Sequence, residues 1–292
     1  MLSDLCHGQS VRQTAREHGV NKNTVVAWLI QCGRRAPLVW QLLAEGKLQP
    51  ATIQLDELKT FVRKKDAHLS AEEKALGEVG SQWGWTAIDP VSKLWLVAQV
   101  GPRTKEMACL VVHALCSLLA PGCVPAISSD GLMHYFYALT AHFGQWVADV
   151  RGKERWQVSS LLQYGQVIKH YRRKKLSHVI RHMLLGTLDQ LRQILSDAGT
   201  RPSLNTSFVE RLNLTLRCGL AALTRRSPCI AKSKRTLQWR LNLLQVYYNL
   251  IRVHSTIETT PAHQAGLTDH AWQWEELLTF RLSPERQFQL MC

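Results

Sequence analysis

The amino-acid sequence predicts an α/β fold, a mixed sheet flanked by helices and preceded by a small all-α unit. Three observations predict it. Apolar and polar residues alternate with the period of a β-strand in 52–58, 83–88 and 94–100. The period lengthens to that of a helix in 104–119 and 132–143, on either side of a short apolar strand at 124–128. Before Ala51 the pattern is helical.

The chain has 292 residues, with 36 Lys and Arg against 22 Asp and Glu, a formal net charge of +14. That length suits about two domains. Hydrophobic residues make up 46% of it, too many for a disordered basic tail, so a folded protein carries the charge. The longest apolar stretch, 107–120, has 14 residues and contains His113, short of the roughly 18 that span a bilayer. No membrane partner is expected. Asp4 and Glu17 stand where a secretory signal needs a basic segment and an apolar core, so an intracellular protein is expected. Eight cysteines, at 6, 32, 109, 116, 123, 218, 229 and 292, include no pair at zinc-ribbon spacing and read as buried free thiols.

The charge is concentrated. Residues 151–181 hold nine Lys or Arg against Glu154 alone, and 217–240 hold seven with no acid. Two such segments favour a polyanion, above all nucleic acid, over a general solubility device.

Taken in order, 10–29 reads SVRQTAREHGVNKNTVVAWL. Val11, Thr14 and Ala15 mark one helical face, Gly19 permits a tight turn, and Val20, Val25 and Trp28 begin a second face with Asn21 as its N-cap. The stretch resembles DNA-binding helix-turn-helix units at Ala15, Gly19, Val20, Val25 and Trp28; a plain packing hairpin is the alternative. The resemblance puts Lys22, Asn23 and Thr24 at the start of a recognition helix and Arg12 and Arg16 against phosphates. Only 1–7 precede the unit, so a shortened N-terminus is expected. The unit is bounded at 1–35, and 36–50, helical near 38–45, reads as a linker.

From 51 to 260 the pattern is that of a core. Three strands, a helix, a strand and a helix follow the ribonuclease-H-like order. Asp56 then lies on the first strand and Asp130 at the end of the fourth, on neighbouring strands. A third acid is expected from 205–213, where Phe208, Val209 and Leu212 bury one helical face and Glu210 projects from it. Between 144 and 199 the core reads as interrupted by a basic insertion with Trp156, Tyr164, Tyr171 and the run Arg172, Arg173, Lys174, Lys175, suited as a set to backbone contact and base stacking, with core packing the favoured fate of each single aromatic. The second basic segment offers Arg225, Arg226, Lys232, Lys234 and Arg235 as phosphate contacts. Residues 261–292 read as a C-terminal tail.

The segments QLDE at 54–57, SSDG at 128–131, NTSFVERLN at 205–213, YYNLIRVH at 247–254 and TPAHQAGLTDHAW at 260–272 together resemble bacterial insertion-sequence transposases of the DDE type. The resemblance runs over most of the chain from Gln9. It implies a ribonuclease-H-like catalytic core with Asp56, Asp130 and Glu210 as catalytic and metal-binding residues. It further implies Mg²⁺ or Mn²⁺, two ions, as cofactor, with double-stranded DNA, both element ends and target, as substrate. It implies a homodimer or higher assembly in the synaptic complex, and residence in the bacterial cytoplasm with the nucleoid. Many relatives carry a zinc ribbon ahead of the helix-turn-helix, and no such spacing occurs here. A non-catalytic DNA-binding remnant or regulator of a mobile element is the alternative.

The chemistry accounts for the residue types. Cleaving a phosphodiester builds charge on an already anionic phosphate, which two metal ions about 4 Å apart relieve. Hard Mg²⁺ favours carboxylate oxygen over Cys or His. On a regular strand Glu57 points away from Asp56 and reads as a solvent or supporting residue. Asp89, before Pro90, reads as a turn residue. Arg211 and Asn213 read as DNA contacts or as groups that order a carboxylate, with a helix-surface salt bridge an equal alternative. Tyr248, Asn249, Arg252 and His254 fit a packed helix with a polar edge.

Overall fold

The computed structural model describes residues 1–225 and 227–282; Arg226, read above as a phosphate contact, lies outside the described residues. The first half of the chain forms α1 (Leu2–Cys6), α2 (Val11–Glu17), α3 (Lys22–Ala44), β1 (Thr52–Val62), α4 (Ala71–Leu76), β2 (Gly80–Ile88), β3 (Trp95–Gly101), α5 (Lys105–Leu118), β4 (Ala126–Ser129) and α6 (Met133–His142). There follow β5 (Gly144–Ala148), β6 (Glu154–Val158), β7 (Tyr164–Arg172), β8 (Lys175–Leu185), α7 (Leu188–Asp197), α8 (Ser207–Gly219), α9 (Lys234–Val246), α10 (Pro261–Gln264) and α11 (Trp274–Thr279).

Six strands make one mixed sheet in the order β3-β2-β1-β4-β7-β8, while β5 and β6 form a separate hairpin. β1, β2 and β3 are an antiparallel meander, β4 runs parallel to β1, and β7 runs parallel to β4. Parallel neighbours need a crossover, which α5 supplies between β3 and β4 and α6 begins between β4 and β7. The order is compatible with the ribonuclease-H-like expectation, with β8 added antiparallel at the edge.

Both faces are covered, as the near-continuous apolar runs of the strands demand. Ile53 and Leu55 of β1 join Val111 and Leu115 of α5 and Tyr135 and Leu139 of α6 in one core. Leu58 and Val62 of the same strand join Val209, Leu212 and Leu216 of α8 and Leu241 and Leu244 of α9 in the other. The strand period of two therefore decides which helix each side chain of β1 meets.

Three boundaries differ from the sequence reading. The stretch 36–50, read as a linker with its own helix near 38–45, instead continues α3, which runs unbroken for 23 residues through Pro37 to Ala44. Proline has no N–H for the Gly33 carbonyl four residues back. Asn242 of α9 donates to that oxygen instead, at 3.3 Å. Gly33 also lets α9 approach closely, since a Cβ there would stand 2.6 Å from the Trp239 carbonyl oxygen. The stretch read as a tail packs as well, with Ala262, Trp272 and Leu277 buried in the first core.

The third difference is the basic insertion. Its β7 is an interior strand of the main sheet, and Tyr164 is buried there with its hydroxyl 2.8 Å from Ser129 Oγ. That ring serves the core rather than a base. The run Arg172 to Lys175 turns the β7–β8 hairpin, with Arg173 and Lys174 both at positive φ, 49° and 65°. Two positive φ values give the turn whose twist matches paired strands, so the basic run is the tip of an arm.

Candidate active site

The site forms where β4 ends. Leu55 pairs with Ser129 in the last register of the β1–β4 ladder, so Asp56 and Asp130 are the next residues on neighbouring parallel strands. Beyond Ser129, β1 has no strand beside it on that side, and the carboxylates of Asp56 and Glu57 turn into the gap. One oxygen from each of Asp56, Glu57 and Asp130 lies within 4.8 Å of the others.

Each member is fixed by a neighbour on a different element. Asn213 of α8 donates through Nδ2 to Asp56 Oδ2 at 2.7 Å. The Thr86 hydroxyl lies 3.1 Å from the Asp56 carbonyl oxygen and 3.3 Å from Asn213 Oδ1. Arg103, in the loop between β3 and α5, donates through Nε to Glu57 Oε1 at 2.6 Å and reaches Asp130 Oδ2 at 3.6 Å. Tyr135 of α6 donates its hydroxyl to Glu57 Oε2 at 3.3 Å. Asp130 accepts from the Leu132 N–H at 3.0 Å, which shapes the turn into α6.

Of the two expectations for Glu57, solvent-facing or supporting, the solvent-facing one is corrected. Its side chain is 1% exposed and belongs to the cluster. The strand does alternate, placing Glu57 toward α6 and Asp56 toward α8, but the end of β4 lets both carboxylates bend to one point.

Glu210 sits on the first turn of α8. That turn is pinned to β1 by Gln54, whose Oε1 accepts from the N–H of Phe208 at 2.9 Å and of Val209 at 3.1 Å. Its side chain is nonetheless 43% exposed and outside the three-carboxylate group. It accepts from the Thr206 hydroxyl at 2.6 Å and pairs with Lys169 of β7. Its charge still reaches Asp56, adding to the pressure against ionisation there.

Like charges in a half-buried pocket resist ionising together. Burial, then the charge of Asp130, pushes Asp56 up to about 7. Burial, then Asp130, pushes Glu57 up to about 8 against the opposing pull of Arg103. Burial also raises Tyr135 well above its ordinary range, so it stays a hydroxyl donor. An all-oxygen donor set of this kind fits a hard divalent cation, whose charge would remove the repulsion.

The other predicted residues lie apart from this cluster. Arg12, Arg16, Lys22, Asn23 and Thr24 are all exposed, the first two on α2 and the rest opening α3. Gly19 between these helices has φ 62°, and Asn21 accepts from the Asn23 N–H as the expected N-cap. Arg172, Arg173, Lys174 and Lys175 are exposed at the hairpin tip, roughly 23 Å along β7 from Gln166 beside the site. Arg211 is exposed on α8. Arg225, Lys232 and Arg235 are exposed and Lys234 half-buried, in a segment where Ala231 pairs with Val62. That point is six residues along β1 from Asp56, roughly 20 Å away. Asp89 is the turn residue expected, accepting from the Val91 N–H at 2.9 Å and the Ser92 hydroxyl at 2.5 Å. Asn249 is buried and donates to the Trp95 carbonyl at 2.8 Å, a packing role.

Arg103, Tyr135 and Lys169 escape the sequence reading, since none stands in a spaced motif. The adjacency of Glu57 to Asp56 was the one available signal. No family model matches the chain, and no curated protein matches it significantly. No helix among the described residues is long and apolar enough to cross a membrane.

Proposed function

We propose that this chain is a metal-dependent DNA transposase of the DDE kind, cutting at the ends of a mobile element and joining them to target DNA. The observation that carries the reading is the meeting of Asp56 and Asp130 at the end of β4, one from each of two neighbouring parallel strands. Three oxygen donors in one half-buried pocket suit Mg²⁺ or Mn²⁺. Bound there, two such ions would activate an attacking oxygen and stabilise the leaving one. Asp56 and Asp130 would hold the cations. Glu57, clamped by Arg103 and Tyr135, spaces the pocket and would ionise as cations bind. Asn213 orients Asp56. Glu210 closes the pocket from α8 once Lys169 releases it, and Lys169 then meets the DNA phosphate. A ribonuclease-H-like core, a helix-turn-helix at α2 and α3 that reads element ends, and a dimer at strand transfer complete the reading, in a bacterial cytoplasm.

A DNA-binding protein without catalysis is the second reading. The pairing of Glu210 with Lys169, which leaves the third acid outside the cluster, is the observation that favours it.

Nicking of supercoiled plasmid in Mn²⁺ separates them. The wild-type chain nicks, and Asp56→Asn and Asp130→Asn each lose on the order of 1000-fold in rate while retaining DNA binding. Nicking that persists in both variants overturns the assignment.

A further inference from the structure

An open cleft of about 760 Å³ lies away from the carboxylate cluster, between the β2–β3 turn, β8 and the N-terminal end of α8. Lys93, Arg181 and Arg201 line it together with Ser203, Ser207 and Phe208, and no acid does. Among the described residues none of these three cations is paired with a carboxylate. Asp89, whose charge acts on Lys93, is already engaged by the turn it caps.

The local structure commits these groups to the cleft. Lys93 takes a positive φ of 62°, a position where glycine or asparagine fits the backbone at less strain. The chain carries lysine there, with its ammonium 4.1 Å from the Phe208 ring centroid and burial lowering its pKa. Arg181 is anchored by one edge only, its Nε donating to the Leu204 carbonyl at 2.8 Å. The rest of the guanidinium is left for an outside acceptor. The first N–H groups of α8 are taken by Gln54 and Asn205, so the attraction comes from the side chains and not from free backbone donors.

The cleft also connects with the site. Lys169 pairs with Val179 across the β7–β8 ladder, so Arg181 is its diagonal neighbour on the same face, roughly 7–8 Å away. Cations therefore continue from the residue that holds Glu210 into the cleft.

We propose that this cleft binds the phosphodiester backbone of a DNA strand where it passes the carboxylate site, with Lys93, Arg181 and Arg201 as phosphate contacts and the Ser203 and Ser207 hydroxyls as donors. The naming of DNA rests on the function proposed above. Cations without acid partners, hydroxyl donors and a groove open at the surface are what a backbone contact requires.

Binding is measured by anisotropy on a fluorescein-labelled duplex of arbitrary sequence, in EDTA, across a salt series. Lys93→Gly relieves the positive φ and Arg201→Ala changes an exposed side chain, so both keep the fold; circular dichroism verifies it. The double variant is expected to bind about tenfold more weakly near 0.1 M salt, with the slope of log affinity against log salt reduced by about 0.9 per contact. The double variant Lys65→Ala/Lys74→Ala, an equal loss of charge at two exposed positions on and beside α4, leaves affinity and slope near wild type. Affinity and slope in the cleft variant equal to those of this control overturn the proposal, as does a wild-type chain that binds no duplex. Displacement of the duplex by inorganic phosphate at concentrations that leave ionic strength unchanged would make this a small-anion site and also overturn it. Weakened binding with no Mn²⁺-dependent nicking leaves the cleft standing and removes the catalytic reading. Nicking with unaltered binding does the reverse.

Discussion

The two sides of the site are built differently. On the sheet side Asp56, Glu57 and Asp130 are held within one group by Asn213 and Tyr135, from helices that pack into the cores, and by Arg103 from the β3–α5 loop. On the helix side Glu210 is half in solvent and held by a lysine. A preorganised pair of aspartates therefore faces a third acid whose partner is a cation that any phosphate can compete for. The difference locates rigidity in the sheet and responsiveness in the contact between α8 and β7.

The sharpest way to break the sheet side is Glu57→Ala. It leaves the buried Tyr135 hydroxyl without its acceptor and half-exposed Arg103 with Asp130 alone, and an unsatisfied buried donor costs about 2 kcal/mol. Urea unfolding checks it. Glu57→Gln, which keeps the acceptor oxygen, is expected to lose clearly less.

Asn213→Ala comes next. The amide is buried and donates to Asp56, and losing a hydrogen bond to a charged group costs about 1.5 kcal/mol. Since such a partner orients a ligand, Mn²⁺ affinity is expected to fall about tenfold, read by calorimetric titration.

The smallest effect on stability belongs to Lys169→Ala. An exposed pair contributes under about 1 kcal/mol, so the unfolding midpoint stays close to wild type. Freed from Lys169, Glu210 joins the pocket, and Mn²⁺ affinity is expected to rise by a few-fold. A fall in affinity would show that Lys169 supports the site instead of restraining it.

The same contrast explains what the sequence discloses. Asp56 and Asp130 are legible because each ends or interrupts an apolar strand, and strand order alone brings them together. Glu210 is legible as a helix position from Phe208, Val209 and Leu212, but its pairing is not, since Lys169 lies 41 residues away on a strand that reads as part of an insertion. Charge in 151–181 gives that segment the look of an insertion, so β7 is not legible as an interior strand of the sheet. Pro37 likewise suggests a helix end, and only the tertiary bond from Asn242 shows why the helix continues. Glu57 is hidden by the very rule that finds Asp56, because alternation holds only while a strand has neighbours on both sides.

The central claim is that the carboxylates of Asp56, Glu57 and Asp130 form a divalent-cation site. The folded-state values of about 7 for Asp56 and about 8 for Glu57 stand above their ordinary 3.8 and 4.5. Between those limits the folded protein holds more protons than the unfolded chain, so its stability falls as pH rises through the window. A cation competes with those protons and restores more stability where they have left. Thermal unfolding with and without Mn²⁺, near pH 6 and above pH 8, tests this directly on wild type and Asp130→Asn. The account predicts a melting temperature raised by Mn²⁺, more at the higher pH, with the rise lost in the variant. No rise at either pH, or an equal rise in Asp130→Asn, would contradict it.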